Sequence, residues 1–261
     1  MRAIASIAST TVGEAIRRKV LLVILLIGLL FMIVAPGLQV LSARSELTVL
    51  KAMMLGIIQL TSAVIAIVLT VYMIPNEIER RTIYTILSKP VQRWQFLLGK
   101  YFGAVLALGL MMALMTAVML FVFWYMQRDV PQAINIARQP ALYFVQMSLL
   151  AAIAIFFSTF VSPLVNFFLT GGVYLLGSLF APFLQTMEEN TGTPAGTKLA
   201  AKVVNVILPN FAMFNTQNPI INPGQSIGYE AGYYIQATVY GAIYTGILLV
   251  AGILIFDRRE V

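Results

Sequence analysis

The sequence contains no cysteine and no histidine. Without cysteine there is no disulfide framework, no thiolate metal site and no thiol nucleophile, and the redox compartment cannot be read from thiols. Without histidine the commonest metal ligand and neutral-pH acid–base group is gone, which excludes zinc proteases, histidine-ligated haem and Ser-His catalysis. Charge is scarce as well: 10% of the residues are charged, against about a quarter in a soluble domain. A phosphate-binding Gly-x-x-x-x-Gly-Lys-Ser/Thr loop is also missing. The nearest approach, at 192–198, puts Lys198 two residues past Gly196 with no Ser or Thr behind it.

What the chain has in abundance is apolar residues, 60% of the total, with a mean hydropathy of +0.89. They gather in six runs, 20–41, 52–74, 101–126, 140–160, 164–183 and 231–256, none of which holds Asp, Glu, Lys or Arg. Each is near or above the roughly 20 residues that a helix needs to cross hydrocarbon. Lipid offers the backbone no hydrogen-bond partner and the runs lack the alternation of a barrel strand, so all six are expected to be helices. The fold class is therefore all-α: a polytopic membrane protein with six transmembrane helices in one domain spanning 1–261.

The net charge of +7 lies in short clusters beside the apolar runs rather than along one soluble face, which speaks for membrane topology and against nucleic acid. With the N-terminus inside, Arg2, Arg17, Arg18, Lys19, Arg80, Arg81, Lys89, Arg93, Lys100, Arg258 and Arg259 fall on the cytoplasmic side. Arg44, Lys51, Arg128, Arg138, Lys198 and Lys202 fall outside. The imbalance places both termini in the cytoplasm. The first run is preceded by Arg17, Arg18 and Lys19 as a signal peptide would be, but it is too long for one and lacks a clean cleavage site; it is expected to stay as a span. Before it, Ile4, Ile7, Ala8, Thr11, Ala15 and Arg18 share helical spacing, which predicts a helix on the inner membrane surface.

Val161, Ser162 and Pro163 alone separate the fourth and fifth runs, so these should form a tight antiparallel hairpin. The segment 184–230 is expected to be a small extracytoplasmic cap. Leu199, Val203, Val206, Ile207 and Phe211 form an amphipathic stripe in it, followed by an Asn- and Pro-rich loop at 208–224. Small residues at Gly99, Gly103 and Ala107, and at Gly241 and Thr245, allow close helix approach, expected to be packing within the chain. Trp94, Tyr101, Trp124, Tyr125, Tyr229, Tyr233 and Tyr234 gather at span ends as interfacial anchors.

The segment 75–100 carries seven charges: Glu77, Glu79, Arg80, Arg81, Lys89, Arg93 and Lys100. Asn76 with Glu79 three residues on fits a capping box, and Glu77 and Glu79 complement the positive end of a helix dipole, so a cytoplasmic helix is expected to begin there. Pro90 disfavours helix at Lys89, giving a break near 88–90. A second helix from about Val91 has no stop signal before the third span and should run straight into it.

The stretch NEIERRTIYTILSKPVQRWQFLLGK at 76–100 resembles the coupling elbow of ABC-2 type transporter permeases, including the branch linked to copper-enzyme maturation and export. The matching positions are Glu77, Glu79, Thr82, Leu87, Ser88, Pro90, Val91, Arg93, Gly99 and Lys100; Arg81 stands where the family often has Gly. The ending FDRREV at 256–261 and the order of six spans with a long last outside loop also resemble that family. The resemblance implies the permease subunit of an exporter, worked by a separate P-loop ATPase in two copies. It also implies a second copy of this or a related permease, and surrounding membrane lipid. ATP and Mg would sit on the ATPase, with no cofactor or catalytic residue on this chain. The ATPase-coupling residues it implies are Glu77, Glu79, Arg80, Arg81, Thr82, Ser88, Lys89, Pro90 and Arg93.

Charge-free spans argue independently against ion coupling, since ion-driven carriers keep ionisable groups inside the membrane. Polar residues that could line a translocation path are Gln59, Thr61, Ser62, Thr116, Gln146, Asn166, Thr170 and Gln236, each of which could equally satisfy a neighbouring helix. The competing function is a non-transporting scaffold that binds a protein partner through the cap. An intramembrane enzyme is disfavoured for want of groups from which to build a site.

Overall fold

The computed structural model describes residues 2–39, 46–79, 92–127, 130–189, 194–216 and 230–258. These are helical almost throughout: α1 (Arg2–Arg17), α2 (Lys19–Gln39), α3 (Glu46–Val71), α4 (Met73–Glu79), α5 (Arg93–Gln127), α6 (Val130–Ser158), α7 (Pro163–Glu189), α8 (Ala195–Ile207) and α9 (Glu230–Arg258). A 3-10 turn, Phe211–Phe214, follows α8. Six helices, α2, α3, α5, α6, α7 and α9, are long and apolar enough to cross a membrane. They coincide with the six runs read from the sequence.

Helix α6 is the hub. It packs against α3, α5, α7 and α9, and 67% of its apolar window is buried, against 22% for α7 and for α9. The peripheral helices turn whole apolar faces outward: Leu26, Leu30 and Ile33 on α2, Leu175, Leu179 and Phe180 on α7, Ile243, Ile247 and Val250 on α9 are all exposed. Such a surface is stable only where hydrocarbon is the solvent. Since lipid tails are as apolar as Leu, the bundle is held by tight packing and interhelical hydrogen bonds rather than by exclusion of water.

Small residues set the closest approaches. Helix α1 lies along α5, with Ile7 over Gly99 and Thr11 over Gly103; a Cβ built on Gly103 would come within 2.5 Å of the Thr11 Cβ. Ala8, Thr11 and Ala15 are buried there, so the predicted face of α1 is right but its partner is α5. Gly241 on α9 admits Val145 and Phe214 in the same way. Both small-residue faces are thus used within the chain.

Two boundaries correct the sequence reading. No new helix starts at Asn76. A one-residue turn at Tyr72 separates α3 from α4, and Asn76 sits inside α4 with its N–H donating to the Tyr72 carbonyl at 3.2 Å. Pro75 is tolerated because it lies in the first turn of α4, where amides have no intrahelical acceptor to lose. Pro140 likewise does not begin a span: α6 starts ten residues earlier and carries Pro140 in its interior. The hairpin between α6 and α7 is as expected, with Ser158 ending one helix and Pro163 opening the next. Asn166 and Thr170 fasten it from inside, the Asn166 amide donating to the Ala154 carbonyl at 2.9 Å and the Thr170 hydroxyl to Asn166 at 2.8 Å.

Candidate functional site

At the end of the bundle where α1 and α9 terminate, three elements converge on Lys100. Its ammonium donates to the Glu77 carboxylate at 2.6 Å and lies 3.6 Å from Glu14. Glu14 belongs to α1, Glu77 to α4 and Lys100 to α5, so one cation ties together the N-terminal helix, the exit from the second span and the entry to the third. Lys100 is only 4% exposed and also sits 5.9 Å from the Phe96 ring centroid. A buried ammonium without an anion would be strongly unfavourable, so the pair with Glu77 specifies how α4 meets α5.

Two turns before Lys100, Arg93 reaches the far end of the chain. Its Nη1 donates to the carbonyls of Phe256 and Asp257 at 3.0 and 3.1 Å, and its guanidinium lies 6.0 Å from the Phe256 ring. Those carbonyls are in the last turn of α9, where backbone acceptors lack intrahelical donors and the dipole favours a cation. Phe96 stacks on Phe256 with centroids 6.2 Å apart. These rings join Ile74, Leu97, Tyr101, Ala152, Ile155 and Leu249 in an apolar cluster that locks α4, α5, α6 and α9 at this end.

Of the residues the resemblance implies for coupling, Glu77 thus meets α5 at Lys100, and Arg93 lies two turns earlier along the same helix. Glu79 is the last residue of α4. Arg80, Arg81, Thr82, Ser88, Lys89 and Pro90, with the expected break at 88–90, lie outside the described residues. The second elbow helix is present: α5 begins at Arg93 and continues unbroken for 35 residues. Glu14 and Lys100 were not among the assigned residues. The signal for Lys100 was its place after Gly99, well inside an apolar helix, where a lysine needs a counter-charge.

At the opposite end, α8 packs on α7 with Ala201 buried, leaving Leu199 and Val203 exposed. The chain then turns inward. The Pro209 carbonyl abuts Gly177, where only a missing side chain leaves room, and the turn at Phe211–Phe214 is buried among α6, α7 and α9. Asn210 caps it through Oδ1, which accepts from the Ala212 amide at 3.1 Å. Non-helical backbone at this depth needs partners from the protein. Gln139 donates to the Phe214 carbonyl, Gln146 to the Phe211 carbonyl and Tyr233 to the Met213 carbonyl, while the Tyr240 hydroxyl accepts from the Asn210 amide.

A family model described as ABC-2 family transporter protein matches residues 5–261. The chain belongs to that family. It is a multi-pass membrane component of an ABC transporter, and membership implies an ABC ATPase subunit as its partner. A search of curated proteins returns no match.

In this ABC-2 permease the polar span residues divide into three groups. Gln146 is buried and, besides Phe211, contacts Gln59, whose amide lies 3.4 Å from the Gln146 oxygen; Ser62 donates to the Gln59 carbonyl. Gln59, Gln146 and Asn166 fasten helices or the inward turn, while Ser62 and Thr170 bond within their own helices, to Gln59 and Asn166. Thr61 packs against Gly28 of α2, and Thr116 lines a cavity between α5 and α6. Gln236 is exposed on α9. Among the described residues no group of His, Cys, Asp and Glu could hold a metal ion.

Proposed function

We propose that this permease couples ATP hydrolysis on a separate subunit to export, with residues 75–100 as the docking elbow. Two ATPase subunits, carrying ATP and Mg, would lie beneath two permease chains in the plasma membrane, with both termini cytoplasmic. The permease itself contributes no catalytic group. The observation that carries this reading is the Lys100 junction. It fastens α1, α4 and α5 together, and α4 and α5 are the helices that flank residues 80–91 in the sequence, so a push on that segment would be delivered to α5, which runs unbroken for 35 residues.

The test uses charge reversals at the elbow that spare the junction. Glu79→Lys and Arg81→Glu are expected to abolish co-purification of the P-loop ATPase while leaving membrane insertion intact. Arg93→Glu is a poorer probe because it also releases α9. If both Glu79→Lys and Arg81→Glu retain the ATPase at wild-type levels, the elbow is not the dock. If no P-loop protein co-purifies with wild-type chain in mild detergent, the scaffold reading replaces the transporter-coupling one.

A further inference from the structure

Lys100 has two carboxylates within reach and uses them unequally. Its ammonium is 2.6 Å from Glu77 Oε1, on α4, and 3.6 Å from Glu14 Oε2, on α1. The Glu77 side chain is 14% exposed, that of Glu14 52%. A hydrated carboxylate on a helix ordinarily settles on a cation three or four residues along its own helix. Arg17 and Arg18 stand at that spacing, yet among the described residues the ion pair of Glu14 is with Lys100, on another helix. The Glu14 backbone is held in range because α1 lies on α5 at contact distance, Ile7 over Gly99 and Thr11 over Gly103. The gap from 3.6 Å to a hydrogen bond closes by turning side-chain torsions, with no movement of α1.

From this geometry we infer that Lys100 is a two-position latch. In the arrangement seen here it holds α4 through Glu77; when α4 is drawn away from α5, the ammonium passes to Glu14 and holds α1 more tightly instead. The reason is electrostatic. An ammonium this deeply buried is strongly destabilised without an anion, so release of Glu77 alone is opposed by the cost of breaking a buried pair. A second carboxylate 1.0 Å farther off takes over the charge as the first departs, which turns a break into an exchange of partners. The exposure of the two acids sets the resting position: Glu77 is already desolvated and so pairs more strongly, while Glu14 gives up its hydration only in the exchange. In both positions α5 stays clipped to a neighbour, so the entry to the bundle changes shape without coming apart. The use of the latch rests on residues 75–100 being the docking elbow. Its existence is read on the permease alone, so the two readings fail separately.

The test is a double-mutant cycle read at α1. Ala8, buried against α5, is replaced as Ala8→Cys, the sole cysteine of the chain. Its rate of labelling by a polar maleimide, in purified protein in mild detergent, measures how often α1 lifts. Glu14→Gln alone should raise the rate less than about fivefold, as for a surface pair. Glu77→Gln alone should leave it unchanged, because Lys100 has moved to Glu14. With both, an amide at each position cannot neutralise the ammonium, and labelling should rise about a hundredfold. Equal factors for Glu14→Gln in the two backgrounds would overturn the latch, since Glu14 would then never take the charge over. If the double variant fails to fold, Glu14→Asp in the Glu77→Gln background takes its place, keeping the charge but withdrawing it by one methylene. Labelling should then rise about tenfold, and no rise overturns the latch.

Discussion

Gln139, on α6, donates its amide to the Phe214 carbonyl at 2.8 Å and accepts the Thr216 amide at 3.1 Å, with the Thr216 hydroxyl on the same oxygen. One side chain therefore holds the exit of a turn that lies 75 residues away in sequence. All of these groups are buried. Replacing Gln139 with Leu leaves the Phe214 carbonyl and Thr216 amide without partners, an expected loss of about 2–3 kcal/mol. Because the chain has no native cysteine, a single cysteine at Phe214 reports the outcome: it should be closed to a polar maleimide in the parent and labelled in the Gln139→Leu variant.

The Lys100–Glu77 pair makes a reciprocal prediction. Lys100→Met takes from the largely buried Glu77 carboxylate its ammonium partner at 2.6 Å and should lower stability by about 3 kcal/mol, read as thermal unfolding in mild detergent. Lys100→Glu combined with Glu77→Lys should recover part of that loss if the two groups act as a pair. No recovery would mean that Glu14 or the local packing carries the interaction instead.

Gly103 is predicted to be intolerant of any larger residue. A Cβ there meets Thr11 Cβ at 2.5 Å and the Ala8 carbonyl at 2.8 Å, so backbone must move. Gly103→Val should cost about 1–3 kcal/mol and lift α1 from α5. Limited proteolysis within 2–17, absent in wild type, is the expected signature.

Arg93 binds two carbonyls at once, which a lysine cannot match with the same geometry. Arg93→Ala and Arg93→Lys should both loosen the end of α9, the alanine by about 1–2 kcal/mol and the lysine by less. Faster amide exchange confined to 254–258 would register it.

The spans were legible because lipid forces helix and the apolar runs have no competing pattern. Their ends were less so. Pro75 and Pro140 read as boundaries, yet one falls in a first helical turn and the other is carried inside α6 by its packed neighbours. Asn76 fits a capping box in letters, but the apolar residues Met73 and Ile74 had already carried the helix past Tyr72. The small faces of α5 and α9 were visible, while their partners, Ile7, Thr11 and Phe214, could not be, because spacing within a helix says nothing about what lies across from it. The inward turn was hidden for the same reason: Phe211 reads as the end of the stripe begun at Leu199, yet the helix stops at Ile207 and Phe211 turns inward, where Gly177, Gln139 and Gln146 make room and hydrogen bonds for the turn.

Helix α5, at 35 residues, is about 52 Å long. It is gripped by α1 at Gly99 and Gly103, near its elbow end, and continues past that grip for most of its length. Mechanically it is a lever with its fulcrum off-centre. A small swing imposed at Arg93 would appear at Gln127 with the opposite sense and roughly three times the amplitude, by the ratio of the two arms. A sub-ångström adjustment at the Arg93 end would thus become a shift of ångström scale at Gln127.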